Sequence, residues 1–231
     1  ISCLLADGDD LWVGTWNNGL CKINTITFEI SRIDLGNHIV IRTLYKDSEN
    51  KLWIGTDTGL ILYSSSTRYK VYTATNSKLS HNTVRTLYED DKHNLWVGTY
   101  DKLNKLVKGS NEFITYDLKK NYKPSLKNNL ICDIKPYTKQ ADSLLWIGTE
   151  TGLCLLNTVT GHFLHFNEKN TALSNEVIKS IYTDNEGKLW LGTDFGLNIF
   201  NSRDLTTTVL FHNPLLSYSI ANNVIWQIFE D

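Results

Sequence analysis

Methionine is absent from this 231-residue sequence, and proline (three residues) and cysteine (four residues) are scarce. The sequence has no run of about 18 apolar residues, no signal-peptide pattern and no lipidation motif, which excludes a membrane span or anchor and predicts a soluble segment. Because the chain begins at Ile1 and contains no methionine, we expect it to be a piece of a longer protein.

Motifs for metal binding and catalysis are also missing. The cysteines have neither the C-x-x-C nor the Cys/His spacing that is typical of zinc sites, so we predict no metal and expect free, mostly buried thiols. They are Cys3, Cys21, Cys132 and Cys154. No G-x-S-x-G, H-E-x-x-H or P-loop occurs, so we predict no catalytic residue and no cofactor.

The charge is nearly balanced. A net charge of -2 and a pI near 6.3 argue against a nucleic-acid surface over the whole domain. One local excess stands out, because residues 102–127 hold seven lysines against Glu112 and Asp117. Solvated loop lysines and a binding patch both account for this excess.

What the sequence does contain is a repeat. The pentapeptide L-W-[VIL]-G-T occurs five times, and the steps between its tryptophans are 41, 43, 50 and 44 residues. These spacings lie in the range in which one repeat forms one four-stranded propeller blade. The pentapeptides begin at Leu11, Leu52, Leu95, Leu145 and Leu189.

Each repeat divides into four short strands, here called A to D, by its alternation and turn signals. In the third repeat these are residues 84–89, 95–99, about 103–107, and 113–116. The sequence therefore predicts an all-β fold: a β-propeller segment of five four-stranded blades plus one strand of a sixth, part of a longer array and a single segment over 1–231. The predicted blades are 1–38, 39–82, 83–129, 130–175 and 176–223, with a partial blade at 224–231.

The repeated residues have predictable packing roles. The tryptophans are expected to lie between blades, and the strand-B glycines to leave room for a bulky group of the adjacent blade. Asp47, Asp90 and Asp184 precede polar turns and are interpreted as Asx-type turn formers. Because an open arc exposes strand edges, the first unit and the last strand A are expected to be frayed or paired with missing blades.

The composite pattern V-x-x-L-x-x-D, polar turn, L-W-V-G-T, x-x-G-L and aromatic strand, as in residues 84–116 and 178–200, resembles the two-component regulator propeller repeat. It departs from that pattern at Lys102, where the usual glycine is missing, and at Lys135 and Pro136, where the fourth strand A lacks its aromatic residue and aspartate. These departures put the regularity of the third and fourth blades in question.

This family resemblance implies the extracytoplasmic, periplasmic sensor region of a hybrid two-component system or related histidine kinase. Such regions usually sense saccharides, act as dimers, and are followed by an immunoglobulin-like domain, a membrane span and kinase modules that this chain does not contain. The segment itself would bind and transmit rather than phosphorylate, and a membrane would be reached only through the absent segments.

Propeller geometry places the B-to-C turns and the D-to-A connections on one face, where a ligand is expected. Trp16 and Tyr100 are candidates to stack on sugar rings, and His81 and several loop asparagines to donate or accept hydrogen bonds. For any single asparagine we favour a turn-capping role. The remaining candidates follow the start of strand A or lie in the loop 117–130, namely Arg42, Arg85, Lys179, Trp226, Lys120, Tyr122 and Lys123.

The strand-A cations leave two interpretations open: a partial ring that suits an anionic ligand, or pairing between blades with carboxylates such as Glu89 and Glu230. Two other functions also remain. A WD40-like protein-interaction scaffold shares the architecture, although the Gly-His and Trp-Asp dipeptides of that repeat are missing where they belong. A propeller glycosidase or lyase needs paired carboxylates, and nothing in the sequence pairs Asp57, Glu150 or Asp194.

Overall fold

The computed structural model describes residues 1–36, 38–65, 68–118, 130–137 and 143–230. All regular elements in these ranges are β-strands. The chain divides into two compact units, Ile1–Thr115 and Tyr116–Asp231. No helix in the described ranges is long and apolar enough to cross a membrane.

The first unit holds three sheets, each an antiparallel meander whose strands follow one another in sequence. The first is β1 (Cys3–Asp7), β2 (Asp10–Gly14), β3 (Leu20–Asn24) and β4 (Ile30–Ile33). The second is β5 (Ile41–Lys46), β6 (Leu52–Thr56), β7 (Leu60–Ser65) and β8 (Arg68–Tyr72). The third is β9 (Val84–Glu89), β10 (Leu95–Thr99), β11 (Leu103–Leu106) and β12 (Phe113–Tyr116), which ends one residue past the boundary between the units.

The second unit holds two sheets of the same topology. One is β13 (Ile131–Pro136), β14 (Leu144–Thr149), β15 (Gly152–Asn157) and β16 (Phe163–Phe166). The other is β17 (Ile178–Thr183), β18 (Leu189–Thr193), β19 (Leu197–Asn201) and β20 (Thr206–Leu210). The predicted five four-stranded sheets of a β-propeller segment are confirmed, and the departures at Lys102 and Pro136 do not remove a strand.

The sixth strand A is docked but not paired. Residues 224–230 carry no strand, yet the Ile225 N–H donates to the Thr193 carbonyl at 2.9 Å, as the Ile41 N–H does to the Thr15 carbonyl at 2.9 Å in the first unit. The segment exposes 83% of Phe229. The expected fraying is therefore seen here, whereas the first sheet has all four strands, because it contains every partner that it needs.

The strand-B glycines of the first, second, fourth and fifth sheets make room for the strand A that follows, as predicted. A Cβ at Gly55 would lie 2.8 Å from Val84 Cγ1, and one at Gly192 would lie 2.9 Å from Ile225 Cγ2. Real Cβ atoms do not approach so closely, so only glycine lets the β-branched side chain pack against this strand. The same contact joins Gly14 to Ile41 and Gly148 to Ile178.

The repeated tryptophans are held at their indole nitrogens, a feature that the sequence analysis did not predict. In four sheets the indole N–H donates to the aspartate of the A-to-B turn, at 2.8 to 3.3 Å. The same aspartate caps the turn, since Asp47 Oδ1 accepts the Glu49 and Lys51 N–H groups. The Asx-turn prediction is confirmed, and the pairs are Trp12–Asp7, Trp53–Asp47, Trp96–Asp90 and Trp190–Asp184.

In the fourth sheet a tyrosine, and not an aspartate, contacts the repeated tryptophan. Strand register places Lys135 opposite Trp146, so Tyr137 occupies the position that aspartate has elsewhere. Its ring stacks on Trp146 with centroids 5.6 Å apart and planes inclined by 28°. An aromatic contact therefore replaces the hydrogen bond, and Trp146 remains buried.

Candidate functional site

The threonine that ends each pentapeptide closes the B-to-C turn. Its hydroxyl donates to the carbonyl three or four residues later, at 2.7 to 2.8 Å in all five sheets. Because threonine makes this bond, the residue after it is free to vary at the tip of the turn. In the third sheet the accepting carbonyl belongs to Lys102, so the turn keeps its bond without the usual glycine. The tip residues are Trp16, Asp57, Tyr100, Glu150 and Asp194.

The B-to-C turns lie against the connections that lead into strand A, as predicted. The Asp57 N–H donates to the Val40 carbonyl at 3.2 Å, and the Tyr100 N–H donates to the Thr83 carbonyl at 3.2 Å. In the second unit the Gly196 N–H donates to the Asn223 carbonyl at 2.7 Å. Variable turn tips and loop residues therefore share one end of the sheets.

Four predicted site residues of the first unit come together at this end, and we call them the Arg42 cluster: Trp16, Arg42, His81 and Tyr100. The Arg42 Cζ lies 5.5 Å from the centroid of the Trp16 ring and 5.2 Å from that of Tyr100. His81 stacks on Tyr100, with centroids 5.9 Å apart and planes inclined by 18°. One guanidinium from the second sheet thus contacts aromatic rings from the first and third sheets.

The polar atoms of the Arg42 cluster are incompletely used. Within the described residues Arg42 forms no hydrogen bond or ion pair; its Nε is buried without a partner, whereas its terminal nitrogens are not buried. His81 Nδ1 accepts the Thr83 N–H at 3.0 Å, so the proton of a neutral ring is on Nε2. Trp16 is 54% exposed. The cluster therefore offers an aromatic surface with unused N–H donors beside it.

Arg85 holds the position equivalent to Arg42 in the next sheet, since Ile41 and Val84 pair with corresponding threonines. It is half-buried. Within the described residues no ring contact, ion pair or hydrogen bond joins it to the Arg42 cluster. The structure therefore does not bring Arg85 into the cluster.

The equivalent cation of the second unit is already neutralised. Lys179 Nζ lies 3.0 Å from Asp194 Oδ1 and 3.9 Å from the centroid of the Trp226 ring. The Lys179 side chain is only 10% exposed, whereas Trp226 is 69% exposed. Lys179 is thus paired with a carboxylate of its own sheet and not with one of a neighbouring blade, whereas Arg42 has no ion pair within the described residues.

The prediction that Glu89 and Glu230 pair with the strand-A cations was wrong. Glu89 accepts the Ser48 N–H at 2.7 Å and the Ser48 hydroxyl at 2.9 Å, and Glu230 accepts the Tyr182 hydroxyl. Both lie at the end of strand A, whereas the cations follow its start. The strand therefore keeps the two groups apart.

Asn175 and Asn222 cap turns, as favoured from the sequence, whereas Asn82 bonds to a residue eight positions earlier. Asn82 Oδ1 accepts the Ala74 N–H, Asn175 Oδ1 accepts the Val177 N–H, and Asn222 Oδ1 accepts the Val224 N–H, each at 2.8 Å. The predicted residues Lys120, Tyr122 and Lys123 lie outside the described residues.

The opposite end of the first unit has a cleft of about 340 Å³ between the second and third sheets, which the sequence analysis missed. Beside it the Ser48 Oγ lies 2.6 Å from His93 Nδ1, and Glu89 Oε1 lies 3.4 Å from the same nitrogen. A Ser-His-Glu relay needs two different ring nitrogens. This trio is therefore not arranged as a catalytic triad.

Asp133 is a further residue that the sequence analysis missed. Its carboxylate accepts the Ile134 N–H and, from the next sheet, the Ile181 N–H, both at 2.9 Å. Burial raises the pKa of Asp133, against the lowering effect of Lys135. The register places Asp133 where Thr43 and Ser180 stand in other sheets, so an alignment of the repeats could have revealed it.

The four cysteines lie on strands of the first and fourth sheets. None of the four cysteines forms a disulfide; Cys132 and Cys154 are buried and the other two are half-buried. Burial raises the pKa of Cys154 to about 12, so this thiol is unreactive at neutral pH. No group of three His, Cys, Asp or Glu residues in the described ranges is placed to hold a metal ion.

The fold defines a class of protein, the β-propellers, and comparisons with known proteins refine it. The family model for the two component regulator propeller matches residues 34–58, 78–101 and 172–195. Each match includes strands A and B and the B-to-C turn of one sheet. Three stretches of this chain therefore match the two-component regulator propeller repeat, as the sequence pattern indicated, and two of them contribute Arg42, His81 and Tyr100 to the cluster.

A curated relative is Histidine kinase P4 of Formosa agariphila, which is 33% identical over 84 residues, or 34% of this chain and 6% of the relative. The extracellular domain of BT4673 from B. thetaiotaomicron, described as a one component or hybrid two component system, matches with a TM-score of 0.86 and 26% identity. The match covers 100% of this chain and 30% of that domain.

The extracellular domain of the hybrid two component system BT3049 of the same organism matches with a TM-score of 0.78 and 22% identity, over 93% of this chain and 29% of that domain. At this identity the likeness shows the fold alone. The chain therefore spans about 30% of the structures it resembles and far less of the curated relative.

Proposed function

We propose that this chain is a ligand-sensing, periplasmic propeller segment of a hybrid two-component receptor, and that its ligand is an oligosaccharide. The receptor would act as a homodimer and carry its histidine kinase elsewhere. The similarity to extracellular domains of two-component systems supports the sensor assignment and an extracytoplasmic location. The observation that supports a saccharide is the Arg42 cluster.

The Arg42 cluster has the chemistry that saccharides need. Aromatic rings such as Trp16 and Tyr100 contact the C–H faces of a pyranose, and nearby N–H donors bind its hydroxyls. Trp16 already exposes half of its surface, so a sugar can reach it without rearrangement of the backbone. The cluster stands on turns fixed by threonine hydrogen bonds, which makes it a preorganised site.

The mechanism follows from where such a segment would act. Oligosaccharide binding at the B-to-C end would favour one packing of the dimeric sensor regions over another, and this difference in affinity would bias the distant kinase. The shift cannot exceed the difference in binding free energy between the two arrangements.

Calorimetry of the intact sensor region with a panel of neutral and acidic oligosaccharides tests the proposal. A saccharide that binds the wild type is expected to lose at least about tenfold in affinity to Trp16→Ala, since stacking area is removed. The matched control is Phe28→Ala, which removes an exposed aromatic ring from the turn between β3 and β4, outside the cluster, and should bind normally.

Two results would contradict the proposal. The absence of heat with every saccharide would remove the ligand class and favour a protein-interaction scaffold. Turnover of a saccharide during the titration would instead indicate a glycosidase or lyase.

A further inference from the structure

Arg42 has no ion-pair partner in the described part of the chain. No carboxylate forms an ion pair with it, although two lie on nearby turns. Asp57 Oδ1 accepts the Val40 N–H at 3.2 Å, and the Asp101 carboxylate lies 3.5 Å from Lys102 Nζ. The terminal nitrogens of Arg42 are not buried, so an anion can reach them and form the ion pair that no described carboxylate forms.

The rings fix how the guanidinium is presented. Trp16 and Tyr100 both lie within about 6 Å of the Arg42 Cζ, the range of cation–π contact. Such contacts limit the rotation of the side chain, and the terminal nitrogens remain unburied. A planar fork of N–H donors is the arrangement that binds an oxyanion through two parallel hydrogen bonds.

The neighbouring His81 adds a second donor. Because its Nδ1 accepts the Thr83 N–H, its remaining proton lies on Nε2, and the side chain is exposed. Its ring is held against Tyr100, which is itself in contact with Arg42. Both donors therefore belong to one contiguous group of side chains.

We infer that the Arg42 cluster selects acidic saccharides, binding a carboxylate or sulfate group of the sugar on the terminal nitrogens of Arg42 while Trp16 stacks on the ring. This inference depends on the proposed function and specifies the class of ligand. Lys179, the equivalent cation of the second unit, provides a contrast within the same chain, because it already forms an ion pair with Asp194.

The test compares sugars that differ only in charge. A uronic-acid oligosaccharide, its carboxyl-reduced neutral form of the same length and linkage, and a sulfated form are titrated into the full-length protein. The wild type should bind at least one acidic form about 10- to 100-fold more tightly than the neutral form. The carboxylate and sulfate arms show which acidic group the site takes.

Variants of Arg42 locate the effect. Arg42→Gln should abolish the preference for the acidic sugar, so that the acidic and the neutral form bind with about equal affinity. Arg42→Lys should lie between them, because it keeps the charge but loses the planar fork. Lys70→Gln is the control, since Lys70 also lies over an aromatic ring, 4.5 Å from the Tyr72 centroid, but outside the cluster. Thermal unfolding confirms that each variant is folded.

The outcomes separate the inference from the proposed function. Equal affinity for acidic and neutral sugars, or an acidic preference that survives Arg42→Gln, overturns the inference while Trp16-dependent binding still supports a saccharide sensor. Failure of every sugar to bind overturns both.

Discussion

At the A-to-B end of the sheets, an aspartate accepts the indole N–H of the tryptophan in four of the five sheets. In the remaining one, the fourth sheet, Tyr137 stacks on Trp146. At the B-to-C end, threonine closes the same turn in all five, but the next residue is Trp, Asp, Tyr, Glu and Asp in turn. The first end thus repeats most of its side chains, whereas the second end repeats the threonine and varies the residue at the turn tip.

This difference shows how a repeat protein separates stability from recognition. The tryptophans and glycines contact neighbouring sheets, so a change there disturbs packing on both sides. The turn tips depend on threonine and on backbone hydrogen bonds, so their side chains can differ without loss of the fold. Substitutions at the first end should therefore change stability, and those at the second end should change binding.

The largest effect is expected from Trp96→Ala, because Trp96 is 0% exposed and donates to Asp90 at 2.9 Å. Loss of a buried aromatic side chain should lower the free energy of unfolding by about 3–5 kcal/mol. Trp16→Ala, at the other end, should cost less than about 1 kcal/mol, since only exposed contacts are lost. Urea denaturation of both variants measures the difference, and equal losses would abolish the distinction between the ends.

The next effect is expected from Gly55→Ala. The new Cβ would lie 2.5 Å from Thr43 Cγ2 and 2.8 Å from Val84 Cγ1, so strand A of the third sheet would have to move. Overpacking of this kind should cost about 1–3 kcal/mol, again measured by urea denaturation. A loss below about 0.5 kcal/mol would show that the sheets can separate freely at this contact.

A smaller effect distinguishes the two equivalent cations. Lys179→Gln removes an ion pair of 3.0 Å and a contact with Trp226, and should lower stability by up to about 1 kcal/mol, less in high salt. Arg42→Gln should lower it less, because Arg42 has no ion pair in the described residues. Thermal unfolding at two salt concentrations compares them, and a greater loss for Arg42→Gln would assign a structural role to that side chain.

The smallest effect is expected on the loss of stability at acidic pH. Burial raises the pKa of Asp184, but hydrogen bonds from Trp190 and from the Lys188 and Glu186 backbone outweigh it, so the pKa is lowered from 3.8. A carboxyl with a lowered pKa stabilises the fold above its unfolded pKa, and this stability is lost as the pH falls through the folded value. Asp184→Asn should therefore flatten the decline in unfolding free energy below about pH 4.

Asp133 is expected to affect the pH dependence of the unfolding free energy in the opposite direction. Burial raises its pKa, so its charged form costs stability at neutral pH, and protonation relieves the cost as the pH falls through the raised value. Denaturant titrations from about pH 7 to 2 should thus show Asp133→Asn and Asp184→Asn changing the profile in opposite directions. A shared direction would contradict these assignments.

Much of the fold could be predicted because its signals are local. Alternation sets each strand, the polar turns end them, and the spacing of tryptophans fixes the number of sheets. The family resemblance was likewise carried by the linear pattern. The bond from Trp to Asp was missed because the two residues are six positions apart and meet only when the segment between them folds into a turn. The role of Tyr137 was missed because its position is defined only by strand register.

By itself, the sequence determined that the chain forms five similar sheets with a constant interior and variable tips, because each repeat encodes the same strands and turns. It also marked Arg42 and Lys179 as equivalent. Only the tertiary structure decided that Lys179 is paired with Asp194 while Arg42 lies between Trp16 and Tyr100. The reason is that the partners of a side chain at a turn tip come from other strands and neighbouring sheets, and a linear repeat does not specify which of them come within reach.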